Sequence, residues 1–126
     1  MLQGKNALGL SPMPPLEGAD LLNCFKAVLS NWHVTDYVTA KDEALEWAGK
    51  NLSGFTLKSP AKLMNDHVCA GGEIDQVRET RPEWNDWPFH YDFRLSWEDR
   101  RLYIETLLVD DDPSDPYLRI VRIKDA

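Results

Sequence analysis

The chain has 126 residues, 43% of them hydrophobic and 10% aromatic, and a formal net charge of −7. That suits a single domain with its own core, and no apolar run nears the roughly 18 residues that a membrane span needs. Acidity argues against non-specific binding to nucleic acid, DNA included, whose affinity comes mainly from neutralising phosphates, and fits a protein that meets a basic partner.

Residues 1–16 hold Gly4, Gly9, Pro12, Pro14 and Pro15 and show no sustained period, so an extended or disordered arm is expected, with residues 17–126 as one domain. The start lacks the basic region and apolar run of a secretory signal, which points to the cytoplasm. From Glu17 to Trp32 the residues Leu21, Leu22, Phe25, Val28, Leu29 and Trp32 recur at three- and four-residue steps, the pattern of an amphipathic helix. Val34 to Val38 reads as a short β-prone link. Thr39 with Asp42 resembles a capping box before a second helix through Ala44, Leu45, Trp47 and Ala48. Ser59-Pro60 reads as an N-cap with Pro at the first helical position, Leu63, Met64 and Val68 supply a buried stripe, and Gly71-Gly72 ends that helix.

Cys24 and Cys69 fall in different helices and read as free thiols. His67 and Cys69 are two apart, which on a helix points them in different directions, and neither CxxC nor HxxxH spacing occurs. No metal ligands are assigned, and His67 reads as a partly buried packing residue. No glycine-rich phosphate loop is present either, so no cofactor is expected.

Glu73 to Arg81 carries the dense charge of a protected edge strand. Next comes a loop with Trp84 and Trp87, which suit either a contact surface or a cover over one end of a sheet. In His90–Trp97 the residues Tyr91, Phe93, Leu95 and Trp97 alternate with His90, Asp92, Arg94 and Ser96. In the next segment Leu102, Ile104, Thr106 and Leu108 alternate with Arg101, Tyr103, Glu105 and Leu107. Only Glu98 to Arg101 lies between them, so an antiparallel hairpin is expected. Apolar residues must meet across it, so Phe93 and Leu95 should oppose Leu102 and Ile104. The other face then gathers His90, Asp92, Arg94 and Ser96 beside Arg101, Tyr103 and Glu105. It is the candidate functional surface, and it also reads as a solvated face laced with cross-strand ion pairs.

Asp110 to Pro116 (DDDPSDP) lacks the glycine and closing glutamate of a calcium loop and reads as an acidic turn. Tyr117 to Ile123 is apolar enough for an interior strand. All seven arginines lie in residues 73–126, which carry a net −6 against −1 for residues 1–72. A guanidinium fork suits phosphate or carboxylate, and the plain alternative pairs these arginines with Glu73, Asp75, Glu79 and Glu105. The expected fold is α+β, with two to three N-terminal helices packed on a four-stranded antiparallel meander sheet.

From Thr39 onward the order of elements, with helices leading through AGGEIDQVRETR into HYDFRLSW, RRLYIETLLV and YLRIVRI, resembles the RelE/ParE and MqsR-like toxin superfamily and its barnase-like ribonuclease relatives. The resemblance implies an RNA endonuclease of a toxin–antitoxin pair, metal-independent, with an antitoxin as protein partner. It would use Glu105 or His90 as base or acid, Arg94 and Arg101 on phosphate and Tyr103 as donor. The competing class is a non-catalytic inhibitor, immunity protein or adaptor that meets a basic partner through Trp84, Trp87, Asp110, Asp111, Asp112 and Asp115. An enzyme needs His90, Arg94, Tyr103 and Glu105 to converge in a concave pocket, whereas a binder needs a broad acidic surface.

Overall fold

The computed structural model describes residues 16–34, 37–56, 58–84, 86–112 and 114–126. The arm expected over residues 1–16 lies outside them except for Leu16, which packs against the core. Strands β3 (Phe89–Trp97) and β4 (Arg100–Asp110) form the hairpin that alternation predicts. Phe93 pairs with Ile104 and Leu95 with Leu102, so the apolar residues share one face as parity requires. Only Glu98 and Asp99 link the strands, and Glu98 takes a left-handed φ of 54° to make the turn.

Strand β2 (Asp75–Arg78) pairs antiparallel with β3 and holds one edge, in keeping with its charge pattern. Strand β5 (Tyr117–Asp125) pairs antiparallel with the other side of β4. The four-stranded antiparallel meander is nevertheless incomplete. Val38–Ala40 forms a further strand, β1, parallel to β5, so the sheet is five-stranded and mixed in the order β1-β5-β4-β3-β2. Three residues cannot display an alternation, and β1 owes its extended form to a partner at the far end of the chain. Thr39 therefore does not cap a helix: its hydroxyl lies 2.6 Å from that of Tyr117, and Lys41 is the N-cap of helix α2 (Asp42–Asn51).

The irregularity between Glu105 and Thr106 sets Glu105 opposite Arg122 but Thr106 opposite Ile120, leaving Val121 as the extra residue of a β-bulge. The bulge switches the parity of β5, so Leu118, Ile120 and Ile123 all join the core, and it sets Arg122 beside Glu105. Alternation alone would have turned Ile123 outward.

Helices α1 (Gly18–Leu29) and α3 (Ser59–Cys69), with α2, cover the apolar face. Helix α1 buries Leu21, Cys24, Phe25, Val28 and Leu29, and the Phe25 ring meets Tyr91 and Phe93 edge-on at 5.3 and 5.7 Å. Leu22, expected in the same stripe, is exposed. Ser59 is the first residue of α3 rather than its N-cap, and its Oγ accepts the Thr56 N–H at 2.9 Å. His67 packs as expected, edge-on against Phe93 at 5.8 Å with Nε2 2.7 Å from the Glu73 carbonyl. That ring explains the second glycine of the pair ending α3, because a Cβ on Gly72 would lie 2.4–2.5 Å from it. No described helix is long and apolar enough to cross a membrane.

Candidate functional site

The opposite face of the sheet is assembled from two sources. Alternation in β3 and β4 supplies Asp92 paired with Glu105, Arg94 with Tyr103 and Ser96 with Arg101. The second source is the loop between β2 and β3. Its ends meet, the Glu79 N–H donating to the Pro88 carbonyl at 2.9 Å, and it carries a 3-10 turn at Pro82–Trp84. Arg81 reaches from this loop to β4.

The Arg81 guanidinium is bidentate on Glu79, Nε donating to Oε2 at 2.9 Å and Nη2 to Oε1 at 2.8 Å, and Nη2 also donates to Glu105 Oε2. The Thr80 and Arg81 backbone N–H groups add bonds to Glu79 Oε2. Arg81, chiefly through its side-chain hydrogen bonds, holds the Glu79 carboxyl near pKa 2, far below its ordinary 4.5. The same bond to Glu79 raises the guanidinium further above its usual range.

A second chain of bonds runs through Asp92. His90 Nδ1 donates to Asp92 Oδ1 at 2.7 Å, and the Tyr103 hydroxyl donates to Asp92 Oδ2 at 2.8 Å and, at 3.4 Å, to Glu105 Oε1. Burial, then the bond to Asp92 and the charges of Asp92 and Glu105, pushes the Tyr103 hydroxyl well above its ordinary range, so it stays a donor at neutral pH. Arg94 pairs with Asp75 and lies 5.2 Å from the centre of the Tyr103 ring, with Lys124 at 5.1 Å from the same ring.

Of the five residues selected as catalytic, His90, Tyr103 and Glu105 thus share one bonded cluster and Arg94 stands at its rim. Arg101 is exposed and makes no ion pair among the described residues. Glu79, Arg81 and Asp92 complete the cluster without having been selected. Asp92 was visible as a member of the face. Glu79 and Arg81 were not, since nothing local in EIDQVRETR says that its end folds back over β4.

Two open grooves flank the sheet. One, of about 510 Å³, is lined by Lys41, Arg81, Arg122 and Lys124 with Trp47, against Glu43 and Glu83. The other, of about 560 Å³, is lined by Val34, Tyr37, Val109, Asp110, Asp115, Pro116 and Tyr117. Neither is lined by His90, Arg94, Tyr103 or Glu105.

All four selected aspartates, Asp110, Asp111, Asp112 and Asp115, are exposed. Asp110 accepts the Asp112 N–H at 3.1 Å, and Asp112 accepts the Ser114 N–H at 2.9 Å, so turns made by the aspartates themselves order the loop. The Ser114 bonds lower the Asp112 pKa. Trp87 is half-buried, its Nε1 donating to the Val109 carbonyl at 3.4 Å, and the side chain of Trp84 lies outside the described structure. No protein-family model, curated protein or solved structure matches the chain.

Proposed function

We propose that the chain is a binding protein that takes a basic, partly apolar segment of a protein partner into the groove beside its acidic loop. The carrying observation is the groove itself: Tyr37, Val109, Pro116 and Tyr117 give an apolar floor between Asp110 and Asp115, with Asp111 and Asp112 exposed on the same loop. Lysine and arginine stems suit such a floor while their heads meet carboxylates at the rim. The polar cluster supports the same reading, because its carboxylates are bonded to Arg81, Tyr103 and His90 rather than turned toward either groove.

The test is to pan random displayed peptides against the protein and rank the binders by composition. Lys/Arg-rich sequences should dominate, weaken as salt rises, and lose at least tenfold in affinity when Asp110, Asp111, Asp112 and Asp115 are all changed to Asn. Asparagine keeps an acceptor oxygen for the loop turns, so the fold survives the change. Binders without basic enrichment, or binding untouched by the four changes, would sink the proposal.

One observation favours a second reading, the RNA endonuclease with a RelE/MqsR-like fold. In a chain of net charge −7 the first groove places four cations and a tryptophan against two glutamates, and Arg81 connects it to Glu105. Arg81 and Arg122 would then hold phosphate and Trp47 a base, with Glu105 and His90 moving protons. Purified protein incubated with mixed RNA, with and without ribosomes, decides this. Cleavage lost in Arg122→Ala and in Glu105→Ala supports it, and no cleavage by folded protein removes it.

A further inference from the structure

We infer that Glu79, His90 and Glu105 form a binding site for a divalent first-row transition metal, with Asp92 as the residue that orients His90. One ligand atom from each of the three lies within 4.8 Å of the other two. Three donors at about 2.0–2.2 Å from one ion stand about 3–4 Å apart, so side chains whose ligand atoms lie within 4.8 Å of one another need to draw in by no more than about 2 Å.

Charge is the independent argument. The side chains of Glu79, Glu105 and Asp92 are 2%, 5% and 5% exposed; among the described residues the cation bonded to them is Arg81, itself 29% exposed, and the exposed Arg122 is paired opposite Glu105. With His90 neutral, three largely buried carboxylates therefore meet one bonded guanidinium, with Arg122 adding a second, exposed positive charge beside Glu105. Carboxylates withdrawn from water call for countercharge, and a dication would add to what Arg81 and Arg122 supply.

The histidine is prepared for the role. Asp92 accepts a hydrogen bond from Nδ1, which makes Nε2 the unprotonated nitrogen of the neutral ring, and Tyr103 holds the other Asp92 oxygen at 2.8 Å. A carboxylate behind a ligating imidazole fixes its tautomer and direction and raises its basicity. One imidazole with two carboxylates suits manganese, iron, cobalt or zinc better than magnesium or calcium. Arg81 bonds both glutamates from the side of the groove that it helps to line, so it shares or competes for their oxygens and marks the way in. The inference is independent of the partner proposed for the acidic loop.

The experiment is a titration of the full chain, stripped with EDTA and desalted, with Mn2+ followed by loss of the free-ion spin-resonance signal and with Zn2+ by calorimetry. A Cys69→Ser background excludes the exposed thiol. The expected result is one Mn2+ per chain, with affinity reduced at least tenfold by His90→Ala and by Glu105→Gln. Asp92→Asn should lower it about 10- to 100-fold without removing a ligand. Arg81→Ala should bind more tightly, which tests the site without depending on the fold of any ligand variant. The inference is overturned if neither the parent nor Arg81→Ala takes up one equivalent, or if uptake survives His90→Ala. An imidazolium NMR signature of His90 at neutral pH, with no metal uptake, would assign the balancing charge to a proton instead.

Discussion

The two faces of the sheet are built on opposite principles. On the helix-covered face, Phe93, Leu102, Ile104 and Leu118 are completely buried among apolar neighbours, and Thr106 satisfies its hydroxyl on the Tyr91 carbonyl at 2.8 Å. Packing there is non-directional, so volume matters more than identity. On the other face Glu79, Arg81, His90, Asp92, Tyr103 and Glu105 are also largely withdrawn from water, yet each depends on named partners. Burial is common to both faces, and what differs is how each fails when one side chain is cut back.

The largest effect should come from the packed face. Phe93→Ala should lower unfolding stability by about 3–5 kcal/mol in urea titrations, while Phe93→Leu recovers most of it. On the polar face Glu105→Ala leaves an Arg81 N–H short of an acceptor, while Tyr103 keeps Asp92, and it should cost about 1–3 kcal/mol, discounted for the exposure of Arg81. The sharper contrast is Arg81→Leu/Glu105→Leu, which removes both partners and should cost less than the two single leucine changes added together. Simple additivity would show that the faces do not differ in kind.

Acid should distinguish them next. The Glu79 carboxyl falls from 4.5 to about 2 on folding, so its contribution is complete above pH 4.5 and fades as pH drops toward 2. The loss across that window should reach at most about 1.4 kcal/mol for each pH unit. Urea titrations in EDTA from neutral pH downward would show it, flattened by Glu79→Gln and unchanged in slope by Phe93→Leu. The smallest effect concerns reactivity alone. Cys24 is completely buried against α1's neighbours, and burial with the nearby Asp111 charge pushes its thiol up to about 11, while Cys69 is exposed. A thiol reagent near neutral pH should modify one cysteine rapidly and the second only on unfolding.

What could be read from the chain follows the same division. The period of two in β3 and β4 set Phe93 and Leu95 on one face with Leu102 and Ile104 and gathered His90, Asp92, Tyr103 and Glu105 on the other, because a pleated strand makes those relations local. The parallel pairing of β1, the bulge at Val121 and the return of Arg81 to Glu105 are settled by contacts distant in sequence, and no window of neighbours contains them. Of the expected pairings of arginines with Glu73, Asp75, Glu79 and Glu105, the last three are present and Glu73 makes no ion pair among the described residues, and which arginine serves which acid depended on a loop whose path composition does not encode.

The position of β5 bears on how the molecule comes to exist. Among the described strands it comes latest in sequence but lies second in the sheet, between β1 and β4. During synthesis β1 has no strand to pair with, and β4 presents an unsatisfied edge backed by Leu102, Ile104 and Leu108 until β5 emerges. Such an open edge is the kind that recruits other chains. The nascent protein therefore passes through a period of vulnerability that ends only when β5 slots between its two waiting neighbours, and a chain stopped before Tyr117 would remain in it.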